Sequence, residues 1–234
     1  MKLELCAASI DAIHLAKEFN FDRIELCQNL EHGGVTPSYG MIEYAIAYGI
    51  ETHVLIRPRP GGFHYQKEEL EIMLREVKNC SEMGAKGVVV GVLNDRNNID
   101  RDFLNEIIKK ANGMEVTFHR AFDDVIDWKK ALDILMDLKI NRLLSSGMAR
   151  NVDQGLPILK EMIDYAKGSI EIMPGGGVNA GNIAKIKKIL NVNSIHFSGT
   201  SKMDMDEDSF FSDSILKADR EKIKRVLNAL NQNK

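Results

Sequence analysis

The stretch VTFHRAFDD, residues 116–124, opens with the apolar alternation of a strand, Val116 and Phe118, and then sets His119, Arg120 and Asp123 within five residues. Charged side chains are seldom fully buried unless paired, so this cluster is solvated, paired or chemically active. Together with Glu25 it supplies what acid–base catalysis uses. Two carboxylates and an imidazole in one cavity can acquire separated pKa values and divide acid and base roles. Glu25, His119 and Asp123 are therefore the candidate proton-transfer residues.

Two other groups of residues could hold an anion. RPRPGGFHY brings Arg57 and Arg59, and Arg120 follows His119. A guanidinium binds carboxylate or phosphate through a fixed fork of donors, although Arg57 could equally neutralise Glu25. In MPGGGVNAG the glycines Gly175, Gly176 and Gly177 leave a strand, and HFSGT offers Ser198 and Gly199. Free backbone N–H groups at such turns make an anion site; the simpler reading is that the glycines only permit a tight turn. Ser145 and Ser146 in LLSSGM lack the GxSxG surroundings of a hydrolase nucleophile, which excludes the usual serine hydrolase.

The tripeptide ELC occurs twice, at Glu4–Cys6 and Glu25–Cys27. Neighbouring parallel strands lie about 4.8 Å apart, so two inward thiolates in suitable register can share one soft ion such as Cu(I). A disulfide, or two small core residues, remain equally open on spacing alone. Cys80 sits in a helical pattern and reads as packing.

These residues need elements to position them. Eight β-rich runs recur: LELC (3–6), RIELC (23–27), THVLIR (52–57), GVVVG (87–91), EVTFH (115–119), RLLSS (142–146), IEIMP (170–174) and SIHFS (194–198). Amphipathic stretches lie between them; SIDAIHLAKEF begins on a capping Ser, and KEELEIMLREVKNCSEMGA ends at Gly84. No GxGxxG follows the first run, removing the commonest signature of an open sheet. The alternation predicts one α/β domain over residues 1–234, a single TIM-type (β/α)8 barrel. The acidic stretch GTSKMDMDEDSFFSDSILKAD breaks the rhythm, and a mobile connection is expected at about 199–218.

Residues two apart on a strand share a face. Leu3, Leu5, Ile24, Leu26, Val54, Ile56, Val116, Phe118, Ile172, Ile195 and Phe197 then lie under helices. Glu4, Cys6, Arg23, Glu25, Cys27, His53, Arg57, Glu115, Thr117, His119, Glu171, His196 and Ser198 point inward. Bulky apolar residues normally fill a barrel, so this interior must pair with itself or open onto water. For Glu4 and Glu171 a buried ion-pair network near the bottom stands beside a functional role. The strand-ending Cys27, Arg57, His119 and Ser198 fall where barrels build their sites.

A net charge of −3 gives no electrostatic reason to expect nucleic acid. No apolar run is long enough to span a bilayer, and no secretory leader is expected at the N-terminus. Three cysteines do not make a disulfide framework. The expectation is a cytoplasmic protein without membrane or nucleic-acid partners.

In ordered sequence, LELC, DRIELC, GGVTPSYG, IRPRPGGFHY, GAKGVVVGVL, VTFHRAFD, SSGM, MPGGGV and IHFSG resemble the CutC family, named for copper homeostasis. The resemblance covers nearly the whole barrel and leaves out mainly the acidic stretch. It implies a TIM-type barrel, a cytosolic homo-oligomer (dimer or tetramer), and Cu(I) bound by strand-end cysteines, here Cys6 and Cys27, for buffering or trafficking. The alternative is a barrel enzyme acting on a small anionic, phosphorylated or sugar-like substrate. Where the family commonly has Gly-Asp-Phe, this chain has Gly61-Gly62-Phe63 and lacks that carboxylate.

Overall fold

The computed structural model describes residues 1–203 and 215–231. Strands and helices alternate in chain order: β1 Lys2–Ala7, α1 Ile10–Glu18, β2 Arg23–Leu26, α2 Tyr39–Ala47, β3 Thr52–Leu55, α3 Lys67–Met83, β4 Gly87–Val90 and α4 Arg101–Ala111. They continue with β5 Glu115–Phe118, α5 Trp128–Asp137, β6 Arg142–Ser145, α6 Val152–Ala166, β7 Glu171–Pro174, α7 Ile183–Leu190 and β8 Ser194–Phe197. A short pair, β9 Thr200–Met203 and β10 Ile215–Ala218, precedes α8 Arg220–Asn231. The helix boundaries follow local chemistry. Ser9 accepts from Ala12 N at 3.2 Å to start α1, and Gly84, at φ 86°, ends α3 in the left-handed conformation a Gly C-cap allows.

The eight strands form one parallel sheet in the order β7-β6-β5-β4-β3-β2-β1-β8. β7 and β8 lie against each other where the ring closes, although no ladder joins them. This is the expected (β/α)8 barrel. The outward strand residues Leu5, Ile24, Val54, Val88, Phe118, Leu143 and Ile195 share one core with helix residues such as Ile13, Val77, Leu104, Leu132, Leu159 and Ile186. Each such side chain contributes about 1.5–3 kcal/mol by leaving water, which fixes the register: a one-residue slip would send the whole apolar set inward. A separate small cluster, Cys6, Cys27, Leu55 and Val89, packs inside the barrel.

The polar interior has a paired floor. Arg23 Nε donates to Glu4, its neighbour in the β1–β2 register, and Arg23 Nη2 lies 3.2 Å from Met173 Sδ. Arg142 donates to Glu171 at 2.9 Å, Glu115 at 2.8 Å and Thr117 at 3.0 Å, and Ser194 donates to Glu171. His53 Nε2 is 3.4 Å from Glu51. Glu4 and Glu171 thus belong to an ion-pair network, the first of the two readings open for them. β4 makes room for the rings beside it. A Cβ on Gly87 would meet His53 Nδ1 at 2.5 Å, and one on Gly91 would meet His119 Cε1 at 2.2 Å.

The two ends of the acidic stretch pair as antiparallel strands, with Thr200 opposite Ala218 and Met203 opposite Ile215. Leu216 N donates to Glu31 Oε1, so this ribbon reaches the loop after β2. Of the connection expected to be mobile over about 199–218, residues 200–203 and 215–218 thus form a ribbon, and 204–214 lie outside the described residues.

Candidate functional site

The strands deliver their C-terminal ends to a mouth containing a cavity of about 300 Å³. β1 contributes Cys6, β2 Glu25 with Cys27 just beyond, and β8 His196 with Ser198 beyond; Arg57 follows β3 and His119 follows β5. Leu30, Leu55, Phe63, Leu144 and Phe197 give it apolar walls. The combination of apolar walls and a few convergent polar groups is what small-molecule sites share.

One side of the mouth is a thiol–carboxyl–imidazole cluster. Cys6 and Cys27 Sγ are 3.6 Å apart, both buried and both free. Ligand atoms of Cys6, Glu25 and His196 lie within 4.8 Å of one another. His196 Nδ1 is 2.7 Å from Glu4 Oε1 and 3.4 Å from Glu25 Oε2. The β1–β2 register puts Cys6 opposite Glu25, and β1–β8 puts Glu4 opposite His196, so strand pairing alone assembles the group.

Burial sets its protonation. The hydrogen bond with Cys27, followed by desolvation, pushes the Cys6 thiol well above its usual range. Desolvation raises Glu25 to about 7, helped by the Glu4 charge and opposed by His196. Burial works against the His196 imidazolium, but hydrogen bonds with Cys6 and Glu4 and the charges of Glu25 and Glu4 outweigh it and raise its pKa. Burial would raise Glu4 as well; His196 and Arg23 overcome it and keep that carboxylate ionised.

The other side is built around His119. Its Nδ1 accepts from Ala121 N at 3.0 Å, and its ring lies 5.0 Å from the Phe63 ring, centroid to centroid. Desolvation, then the positive charges of Arg57 and Arg120, lower its pKa to about 3. Arg57 spends its terminal nitrogens on carbonyls: Nη1 on Gly34 at 2.6 Å and His32 at 3.1 Å, Nη2 on Gly61 at 2.6 Å. It ties the loops after β2 and β3 together while lining the cavity.

The structure therefore brings Cys6, Cys27, Glu25, Arg57, His119, Arg120, Gly176, Gly177 and Ser198 around one space. Asp123 is not among them. It accepts from Ser145 Oγ at 2.6 Å, Ser146 Oγ at 2.8 Å, Met148 N at 3.2 Å and Arg120 Nε at 2.8 Å, latching the loop after β6. Arg59 is outside as well, paired with Glu69 at 2.5 Å. A Cβ on Gly175 would meet Leu144 Cδ1 at 2.5 Å, and Gly176 and Gly177 hold φ 88° and 85°, so this turn needs its glycines. Gly199 lies over Ile223 of α8 and, with Gly177, Ser198, Lys222 and Arg225, borders a second cavity of about 400 Å³. His196 is the site residue given too little weight by sequence: parity in SIHFS points it inward, but only the register shows that it touches Glu4, Glu25 and Cys6.

Comparisons with known proteins bear on the family and the fold. Residues 1–201 match the model of the CutC family. A CutC family protein of Glaesserella parasuis is 38% identical over 97% of this chain and 98% of its own. Another, of Photobacterium profundum, is 40% identical over 86% of this chain and 82% of its own. The crystal structure of CutC from Streptococcus agalactiae, provisionally assigned to copper homeostasis, superposes with a TM-score of 0.80 at 35% identity, covering 84% of this chain and 97% of that one. With most of both sequences aligned and the fold shared, this chain belongs to the CutC family.

Proposed function

We propose that this CutC family protein binds Cu(I) through Cys6 and Cys27 and acts as a buffer or carrier of that ion in a reducing compartment such as the cytoplasm. The observation that carries the reading is the 3.6 Å separation of two free, buried sulfurs. Metal–thiolate bonds of about 2.3 Å each reach across a gap of this size, so the donor set fits one soft ion, and thiolates favour Cu(I). His196, with a ring nitrogen within 4.8 Å of the Cys6 sulfur, offers an imidazole beside the pair. Because the Cys6 thiol holds its proton so firmly, loading must release protons, and affinity rises with pH.

The test is an anaerobic Cu(I) titration against a competing chelator, with wild type and Cys6→Ser/Cys27→Ser. Stoichiometric binding that disappears in the double variant supports the reading. Equal, weak binding by both proteins removes it.

A second reading, acid–base catalysis on a small molecule, is favoured by a different observation. Glu25 lines the cavity 3.4 Å from His196, and burial pushes its carboxyl up to about 7, the range in which a carboxyl can both give and take a proton near neutral pH. Nothing in two-sulfur metal binding requires such a cavity.

A further inference from the structure

We infer that the His119 side of the mouth is an oxyanion hole, in which a neutral imidazole N–H and the Arg57 side chain hold a carboxylate or phosphate oxygen of a small ligand. The tautomer follows from geometry. Ala121 N has only a proton to give, so His119 Nδ1 must accept it with a lone pair, at 3.0 Å. In the neutral ring the proton then resides on Nε2. His119 is 6% exposed, and its Nε2 has no hydrogen-bond partner in the protein. Arg57, 5% exposed, makes three contacts to carbonyls through its terminal nitrogens, its guanidinium interacts with the Tyr65 hydroxyl, and its Nε makes no hydrogen bond in the protein.

Buried donors are ordinarily satisfied, and an orphan costs about 1–3 kcal/mol. Here the two side chains that carry these covered donors line the same cavity and pack on the same ring, with Arg57 Cζ 5.2 Å and the His119 centroid 5.0 Å from the centre of Phe63, so a small ring shift would open them to it. Arg57 and Arg120 both disfavour charging His119, so the local potential is positive while the imidazole stays a neutral donor. An anion satisfies both conditions. Gly91 helps set the ring's position, since a Cβ there would meet His119 Nδ1 at 2.3 Å. His119 thereby becomes a binding donor instead of the proton-transfer residue its sequence context suggests.

The inference does not depend on the cysteines. It rests on the small-molecule reading only in taking the cavity as a ligand site, and it names the ligand class.

The experiment uses full-length wild type, His119→Gln and His119→Leu, titrated with acetate in one arm and inorganic phosphate in the other. Long-range 15N spectra of the histidine rings report the binding. The expected result is a neutral Nε2–H tautomer in the free protein and a shift of that signal on adding at least one anion. Removing the donor in His119→Leu should weaken binding roughly tenfold to a hundredfold, as for a hydrogen bond to a charged group. His119→Gln, which keeps an amide donor at that position, should recover most of it. The arm that binds more tightly identifies carboxylate or phosphate as the source. An Nδ1–H tautomer overturns the proposal, and this is read on wild type whether or not the variants fold. So does the absence of any shift with either anion, or equal affinity of wild type and His119→Leu. In those cases acid–base catalysis by Glu25 on an uncharged ligand still stands, so the two ideas fail separately.

Discussion

The floor and the mouth of this barrel are built from the same kinds of residue on the same inward face, yet they differ in what those residues lack. At the floor, Glu4, Arg23, Glu115, Arg142 and Glu171 meet one another through strand register. Among the described residues, Arg23 Nη1 and His53 Nδ1 are buried polar atoms left over there. At the mouth, two thiols face each other, Glu25 is pushed up to about 7, and two residues that line a cavity each carry a buried donor without a partner. Polarity inside a barrel therefore does not by itself mark function. What marks it is polarity left unsatisfied where a ligand has room.

The largest effect that would break this contrast is expected at the floor. Arg23→Met leaves the Glu4 carboxylate buried without its guanidinium partner, and removing one member of a buried pair costs about 3–5 kcal/mol. Equilibrium urea unfolding should show that loss. A change near zero would mean that the floor is not held by its pairs and that its charges need another explanation.

Glu25 sharpens the contrast through pH. Its folded-state pKa, about 7, lies above the ordinary 4.5. A raised carboxyl favours folding while protonated and forfeits that contribution as pH climbs from its unfolded value through its folded one. Glu25→Gln should thus gain stability relative to wild type between pH 5 and pH 8, by roughly 2–3 kcal/mol. Denaturation midpoints at the two pH values check this. A constant difference would show that Glu25 is ionised throughout, like the floor carboxylates.

The smallest effect is expected at Gly91. An added methyl group presses on the His119 ring at 2.2 Å from Cε1, and overpacking of this kind costs about 1–3 kcal/mol. Gly91→Ala should shift the His119 ring resonances while leaving the floor unchanged. Unmoved resonances would mean that the ring has room elsewhere and that β4 does not set its position.

Much of this molecule was legible from period and punctuation. Alternation in RIELC and EVTFH separated the helix-covered residues from the interior ones, because a two-residue repeat leaves each side chain only one face to occupy. The repeated ELC placed both cysteines near strand ends for the same reason. The roles of Asp123, Arg59 and Arg57 were not legible. Asp123 sits three residues from Arg120 and looks equally available, yet it turns to the loop after β6, because Ser145, Ser146 and Met148 offer it donors from across the chain. Arg57 looks like a free fork until the carbonyls of Gly34 and Gly61 are in place.

By itself, then, the sequence determined the barrel, the inward and outward faces and the set of polar residues that had to share the interior. These follow from local periodicity and from the cost of burying charge. Tertiary structure alone decided which of them pair and which are left waiting. A register such as Glu4 opposite His196 joins residues 192 apart in the chain. Hydrogen bonds and protonation states are fixed at distances of a few ångströms that sequence spacing does not encode.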